Sequence, residues 1–316
     1  MTKTERQTQG WLRLSGRAPH DYAIILWLLS LLLFRRTLST LASLSFHDEL
    51  ASHILLIPLI SAFLIYLERK RIFRTHRYCP SIGAPILLLA VVVWYSLNAL
   101  MSSLNGTDHD TNRLSAAAIS IVLAWIGVFI LVYGTSSFKA ALFPLLFLLL
   151  MSPLPVVVAE HVVSVLQKGS ADTCYALFRL MGIPVIRHGF LFSLPGVDIE
   201  VAEQCSGIHS ALSLFIAGLL AEHVILQGYW KKACFILCIF PIAIFKNAVR
   251  IVAIAWLGIH VNPDFFHGPL HRQGGLPFSL LSLVLMAVLL WLLRRPFASF
   301  QAAPIIPAVG FWRRLV

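Results

Sequence analysis

Charged side chains are scarce in this chain of 316 residues. Asp, Glu, Lys and Arg together make up 12% of it, whereas hydrophobic residues make up 58% and the mean hydropathy is +0.82. This composition excludes an ordinary soluble globular domain and indicates a polytopic membrane protein. Acidic residues are the scarcest, with 14 against 25 basic ones. In a soluble protein that excess would suggest nucleic acid as a partner, but here the basic residues flank apolar runs, so membrane topology explains them and no nucleic-acid partner is expected.

We expect no cleavable signal peptide, and no internal repeat or low-complexity segment is evident in the sequence. Its polar start carries Lys3, Arg6, Arg13 and Arg17 and leads into an apolar run, which we expect to act as an uncleaved anchor. The first 20 residues are therefore predicted to form a cytoplasmic segment.

Eight apolar runs are long enough to cross a hydrocarbon core, which takes roughly twenty helical residues. The chain is predicted to be an all-α polytopic membrane protein with about eight transmembrane helices. The predicted spans are 21–44, 50–67, 82–101, 114–133, 140–158, 206–226, 232–258 and 276–293.

Basic residues place both termini in the cytoplasm, because cytoplasmic loops are enriched in Lys and Arg. Those that fall on the side of the amino terminus are Arg69, Lys70, Arg71, Arg74, Arg77, Lys231, Lys232, Arg294 and Arg295. The loop 102–113, with Asp108 and Asp110, then lies outside. Arg35 and Arg36 do not fit this pattern, since they come late in the first predicted span.

The longest polar interruption, residues 159–205, is predicted to be extracytoplasmic. Its first part, from Glu160 to Met181, has the pattern of an interfacial amphipathic helix. Two β-prone runs follow, Val185–Phe192 and Val197–Val201, with a tight turn predicted at Pro195-Gly196 between them. We expect a small β-hairpin that leads directly to Glu203.

Cys205 is the first candidate functional residue. If the sixth span starts beside it, its thiol lies near a helix amino terminus, whose dipole favours the thiolate.

Arg250 is the second candidate: it is nineteen residues beyond Lys231, about 28 Å along a helix, and so reaches the depth of Cys205. Asn247 lies on the same helical face. The simpler readings are a small packing residue for Cys205 and an arginine snorkelling to headgroups for Arg250. Lys246, which is similarly embedded, has no role in this interpretation.

Two histidines follow in the loop after the seventh span, His267 and His271. A histidine can deprotonate a thiol and later protonate a leaving amine, although a loop histidine can also be merely solvated. Gly268 and Pro269 disfavour the helix that a metal site with this spacing would require, and no nearby carboxylate completes a zinc set. We therefore predict no metal site and no cofactor.

These residues carry a family resemblance. Three elements, in order, resemble the signatures of the exosortase/archaeosortase family: VAEQCSGI at 201–208, NAVR at 247–250, and His271 followed four residues later by Gly275. The segments FPLLFL at 143–148, PLP at 153–155 and GIPV at 182–185 are similar too, and the resemblance extends over roughly 45–293. Gln204 and His209 depart from the residues more usual in the family.

The resemblance implies a membrane cysteine transpeptidase with Cys205, Arg250 and His271 as its catalytic residues. It further implies supporting or substrate-binding roles for Glu203, Ser206, Gly207, Asn247 and His267. Its substrates would be exported proteins whose carboxy-terminal signal combines a short motif, one transmembrane helix and a basic cluster, as in PEP-CTERM proteins. Cys205 would form a thioester, and the chain would then pass to an acceptor that the sequence does not identify.

This interpretation implies a location and a domain organisation. The protein would be a multi-pass protein of the inner (cytoplasmic) membrane, in contact with the lipid bilayer, with its active site facing outward. A single transmembrane catalytic domain would occupy 21–295, with the insertion at 159–205, and residues 296–316 would form a cytoplasmic tail.

One rival function belongs to a different class: a non-catalytic membrane component of exopolysaccharide or lipid export, in which Arg250 binds an anionic headgroup. A transporter is less favoured, because no pair of Gly- or Pro-interrupted spans recurs in the two halves. A disulfide between Cys174 and Cys205, both predicted to be outside, would block the thiol, and we do not expect it.

Overall fold

A computed structural model describes residues 18–74, 78–101, 107–266 and 275–295. The chain divides into two compact units, Met1–Val165 and Leu166–Val316. Helices dominate both units in the described residues. The first unit contains α1 (Ala18–Leu33), α2 (Arg35–His47), α3 (Leu56–Leu67), α4 (Arg69–Ile72), α5 (Pro80–Met101), α6 (Thr107–Ala140) and α7 (Leu142–Phe147), with 3-10 turns at Glu49–Ala51 and Leu148–Met151.

The first predicted span is broken at Phe34. Helices α1 and α2 meet there at an angle of 74°. The apolar run ends at Leu33, and α2 is amphipathic: Leu41 and Ser45 are buried, whereas Arg36 is exposed. The two helices together remain apolar enough for one span, so the span predicted over 21–44 is bent at the point where the polar residues begin. Arg35 and Arg36 thus start a separate helix.

Helix α6 is the central helix of the first unit. In its apolar window 72% of the residues are buried, against 11% for α5. The two helices pack closely because glycines line their contact: a Cβ added to Gly83 would lie 2.5 Å from the Leu131 Cα, and one added to Gly127 would lie 2.9 Å from the Leu87 nitrogen. Small residues commonly permit such close packing in membranes.

The fifth predicted span is also interrupted. The 142–151 helix ends before Pro153 and Pro155, and α8 (Val156–Leu180) begins directly after them at an angle of 92°. Prolines lack the N–H that would continue the helix. The predicted span 140–158 therefore joins the end of one helix to the start of the next. The amphipathic helix predicted from Glu160 to Met181 is present, with an earlier start.

The second unit packs a small sheet against long helices. Helix α8 continues into this unit from the first. The other elements are β1 (Ile186–His188), β2 (Leu191–Leu194), β3 (Val197–Glu200), a 3-10 turn at Glu203–Ser206, α9 (Ile208–Ile225), α10 (Tyr229–His260), a 3-10 turn at Pro263–Phe266, and α11 (Gly275–Arg294).

The predicted β-hairpin is a three-stranded antiparallel meander, and this corrects the sequence analysis. The strand order is β1-β2-β3, with Arg187 opposite Phe192 and Phe192 opposite Ile199. The run Val185–Phe192 was predicted as one strand, but Gly189 adopts a φ of +65° and turns the chain back within it. Glycine reaches this region without the steric penalty that other residues meet. The turn predicted at Pro195-Gly196 joins β2 to β3.

Two hydrophobic clusters stabilise the second unit. The first joins α8, the sheet and α10, and its buried members are Ala171, Cys174, Phe178, Phe192, Leu194, Val201, Ala248, Val252 and Ala255. The second joins α9, α10 and α11 through Leu214, Leu226, Phe235, Ile239, Ala243, Met286 and Leu290. Helix α10 contributes to both clusters, so it is the central helix of this unit.

The polytopic all-α prediction is confirmed. In the described part of the chain, five helices are long and apolar enough to cross a membrane, or up to seven if each bent pair counts as one span. Helix α3, with 12 residues, is a shorter apolar helix. Each of the eight predicted spans overlaps one of these helices or bent pairs.

Candidate active site

The segment that contains Cys205 is a short turn between the sheet and α9. Strand β3 ends at Glu200, a 3-10 turn covers Glu203–Ser206, and α9 starts at Ile208. The backbone of Cys205 lies in this 3-10 turn, three residues before the helix; the placement of its side chain is outside what the structure describes. The backbone of Cys205 thus lies just before the amino terminus of α9, which is the positive end of the helix dipole. We refer to residues 201–210 as the cysteine turn.

Gly207 permits the sharp change of direction from the 3-10 turn to α9. Its φ of +76° and ψ of 21° are in the left-handed region. Its α-carbon also faces Asn247 of α10, because an added Cβ would lie 3.0 Å from the Asn247 Oδ1. The cysteine motif and the NAVR motif, which are forty residues apart in sequence, are therefore in contact at this point.

Polar side chains from α8 bond to the start of the cysteine turn and to Asn247. Gln167 donates from Nε2 to the Val201 carbonyl at 2.7 Å, at the start of the cysteine turn. Asn247 donates from Nδ2 to the Ser170 hydroxyl at 3.0 Å. All four residues are buried. Buried hydrogen bonds of this kind are costly to break, because each group that loses its partner remains without water.

Lys246 and Asn247 lie on the part of α10 that is buried in the second unit. Asn247 is 1% exposed, Lys246 is 3% exposed, and Arg250, one turn further along, is half-buried. Lys246 donates from Nζ to the Ser210 hydroxyl, and Ser210 in turn donates to the Gly207 carbonyl at 2.9 Å. A second polar link therefore joins α10 to the cysteine turn.

The remaining predicted site residues have different placements. Glu203 is exposed, whereas Ser206 is 1% exposed and its hydroxyl has no hydrogen-bond partner among the described residues. His267 and His271 lie outside the described residues, directly after the 3-10 turn Pro263–Phe266. The structure thus brings Gly207 and Asn247 together, while the roles of Cys205, Arg250 and His271 stay predictions.

The other cysteines are free thiols. Cys174 is fully buried in α8, and its Sγ lies 3.7 Å from the Ala248 carbonyl oxygen, while Cys79, Cys234 and Cys238 are also unpaired. Cys174 is therefore a packing residue in this structure. In the described part of the chain, no group of three or more His, Cys, Asp or Glu side chains could hold a metal ion.

Sequence reasoning missed three residues of this region: Gln167, Ser170 and Ser210. None carries a motif, and each is a common polar residue whose importance depends on the partner that folding brings to it. Lys246 did carry a signal, since a lysine within an apolar span is costly unless it has a function or a polar partner. That partner is Ser210.

The fold and the site together define a class: a polytopic helical membrane protein in which a cysteine-containing turn packs on a helix with a buried Asn and a nearby Arg. The chain belongs to the transmembrane exosortase family, whose family model matches residues 42–291, about four fifths of its length. No curated protein and no solved structure matches it.

Proposed function

We propose that this exosortase-family member is a membrane transpeptidase that removes carboxy-terminal sorting signals from exported proteins through a thioester on Cys205. The observation that carries the proposal is the contact between Gly207 and Asn247. It joins the cysteine motif to the NAVR motif, so the two motifs belong to one site. The match to the exosortase family model supports the same conclusion.

In the proposed mechanism, the Cys205 thiolate attacks the scissile carbonyl and forms a tetrahedral oxyanion. The Arg250 guanidinium stabilises that negative charge, an interaction worth more in a site that excludes water than in bulk solvent. His271 protonates the departing amine as the C–N bond breaks, which leaves the substrate joined to Cys205 as a thioester. His271 then accepts a proton from an incoming nucleophile, which attacks the thioester and releases the Cys205 thiolate.

The proposal includes the location of the site. Both termini are cytoplasmic and the cysteine turn faces the extracytoplasmic side of the inner membrane. The distribution of basic residues supports this orientation, since Lys231 and Lys232 start α10 and Arg294 and Arg295 follow α11. Exported substrates would reach the site after translocation, while their own transmembrane helix and basic cluster still hold them in the membrane.

The test is processing of a tailed protein in cells, read as a mass shift on a gel. The substrate is sought in the same genome as a protein with a terminal motif, one transmembrane helix and a basic cluster. Cys205→Ala, Arg250→Ala and His271→Ala are each expected to abolish or strongly reduce processing while the enzyme stays in the membrane at its normal level. Cys238→Ala removes a thiol elsewhere in the same unit and is expected to leave processing unchanged.

Two further results discriminate between the readings. For a thioester, we expect part of the substrate to be covalently bound to the wild-type enzyme and to be released by hydroxylamine. Cys205→Ala should form no such adduct. If Cys205→Ala processes normally whereas Arg250→Ala impairs export, the catalytic proposal is wrong and the non-catalytic export component is the better reading. His267→Ala, compared with His271→Ala, identifies which histidine transfers the proton.

A further inference from the structure

A cavity of about 880 Å³ lies in the first unit, between α2, α5 and α6. Its volume is that of a small-molecule site, since such sites are clefts of about 300–1,000 Å³. The residues that line it include none of the cysteine turn or of the NAVR motif. The described part of the first unit therefore has room for a ligand with which the proposed reaction is not concerned.

The lining of this cavity carries a net positive charge. Arg36 of α2 and Arg113 of α6 contribute two guanidinium groups, whereas Asp110 contributes the one carboxylate of the described lining. An ion pair of Asp110 with either arginine would still leave one positive charge there. Arg36 is exposed, and within the described residues it has no ion pair. A guanidinium binds phosphate and carboxylate groups through parallel hydrogen bonds, so the ligand that fits this lining is an anion.

Helix α2 presents hydroxyl groups beside its guanidinium. Arg36 and Thr40 are one turn apart on this helix, and both line the cavity together with Thr37. The Thr40 hydroxyl donates to the Arg36 carbonyl at 3.0 Å, so Thr37 is the hydroxyl of α2 that can donate to a ligand. A phosphate group accepts hydrogen bonds from donors of both kinds.

The cavity lies where the hydrocarbon core ends. The candidate span of α5 ends at Leu97, and that of α6 begins at Asp110. Trp94 and Tyr95, near the end of the α5 span, both line the cavity. Tryptophan and tyrosine are enriched at membrane interfaces, where lipid headgroups lie. The polar groups of the cavity are therefore at the depth of lipid headgroups.

The inner part of the lining is apolar. Leu114 and Ala117 follow Asp110 along α6 by about one and two turns, so they lie further into the span. Ala117 is 4% exposed. A cavity that is cationic at headgroup depth and apolar below it matches an anionic amphiphile, because basic pockets between membrane helices bind lipid headgroups.

The bend between α1 and α2 brings Arg36 to the cavity. The ring of Phe34, at the bend, packs edge-on against Trp94 with the ring centroids 5.4 Å apart, and α2 leaves this point at 74° to α1. In the orientation proposed above, Arg36 and Arg113 are on the outer side of the membrane, where few basic residues are expected. A ligand site accounts for two arginines that membrane topology does not explain.

We propose that this cavity binds the headgroup of an anionic membrane phospholipid. Arg36 and Arg113 donate to the phosphate oxygens, with Thr37 beside them, and an acyl chain extends along Leu114 and Ala117. This inference goes beyond the proposed function and does not depend on it, since no residue of the cysteine turn takes part.

The test titrates dioctanoylphosphatidylglycerol, an anionic phospholipid with short chains, into the purified full-length protein in detergent. Native mass spectrometry counts the lipid molecules bound to each protein and gives the dissociation constant. The wild type is expected to bind one molecule saturably. Arg36→Gln and Arg113→Gln are each expected to weaken binding about tenfold or more, because each variant loses a charge-assisted hydrogen bond.

Arg35→Gln is the matched control. Arg35 is an exposed arginine next to Arg36 that does not line the cavity, so binding is expected to stay at the wild-type level. Ala99→Trp places a bulky side chain at an exposed position of the lining without a change of charge, and it should weaken binding by a similar factor. If thermal unfolding shows that Arg113→Gln has lost its fold, Arg36→Gln and Ala99→Trp decide the result, since both positions are exposed.

Two further probes separate the whole lipid from its parts. Dioctanoylglycerol, which lacks the phosphate, and inorganic phosphate, which lacks the chains, are each expected to bind at least about tenfold more weakly than the phospholipid. Equal binding of dioctanoylglycerol would show an apolar groove only, and equal binding of inorganic phosphate would show a site for a free anion. Either result refutes the lipid site, as does wild-type affinity in Arg36→Gln or an equal loss of affinity in Arg35→Gln.

Discussion

Replacement of Gly207 by alanine tests whether the contact between the two motifs matters for activity. An alanine in the left-handed region costs about 1–2 kcal/mol of conformational energy. Its Cβ would also lie 3.0 Å from the Asn247 Oδ1, so that side chain must shift by a few tenths of an ångström. The shift strains the Asn247–Ser170 hydrogen bond, itself worth about 1 kcal/mol. We expect a total loss of about 2–3 kcal/mol of stability.

Gly182 provides the matched control for this substitution. It has a φ of +71°, close to that of Gly207, but an added Cβ meets nothing within 4 Å. Gly182→Ala therefore carries the conformational cost of about 1–2 kcal/mol without the displacement of Asn247. Thermal unfolding of both variants in detergent should rank Gly207→Ala as the less stable.

The decisive measurement is the processing rate relative to the amount of folded enzyme. Gly207→Ala is expected to lower this rate at least about tenfold. A displacement of catalytic groups by an ångström or less is enough to slow a reaction strongly. Gly182→Ala should process normally once its lower stability is taken into account. If both variants process at the wild-type rate per folded molecule, the contact of Gly207 with Asn247 does not position the reacting groups and the reasoning is refuted.

Two further predictions concern stability. Gly83→Ala should destabilise the protein by about 1–3 kcal/mol, because its Cβ would lie 2.5 Å from the Leu131 Cα. Ala84→Leu, at the exposed neighbouring position, should be tolerated. Thermal unfolding of both variants in detergent checks this prediction. Asp172→Asn should lower stability by less than about 1 kcal/mol, since its ion pair with Arg187 is partly exposed, and a loss several times larger would show that the pair is more important than its exposure indicates.

The membrane class and the approximate positions of the spans could be predicted because they depend on local composition. A run such as Pro80–Met101 is apolar enough to cross a bilayer whatever surrounds it. The first and fifth spans were predicted less well for the same reason. Their bends at Phe34 and at Pro153–Pro155 occur inside windows whose average hydropathy stays high, and averaging conceals a break of one to four residues.

The sheet was predicted in part. The turn at Pro195-Gly196 has a strong local signal, but Gly189 lies within a run of β-prone residues, where a single glycine is as compatible with one strand as with a turn. The pairing decides between the two: Arg187 lies opposite Phe192, so the chain turns back at Gly189 and the run forms two strands.

The sequence by itself determined that this is a polytopic membrane protein, which short motifs it contains and that Cys205, Arg250 and His271 are the residues to test, because composition and motif order are properties of the linear chain. The tertiary structure decided that Gly207 lies against Asn247, that Gln167 and Ser170 of α8 bond to Val201 and Asn247, and that Lys246 bonds to Ser210. These contacts join residues up to 77 positions apart. No local pattern specifies them, since each depends on how α8 and α10 pack around the cysteine turn.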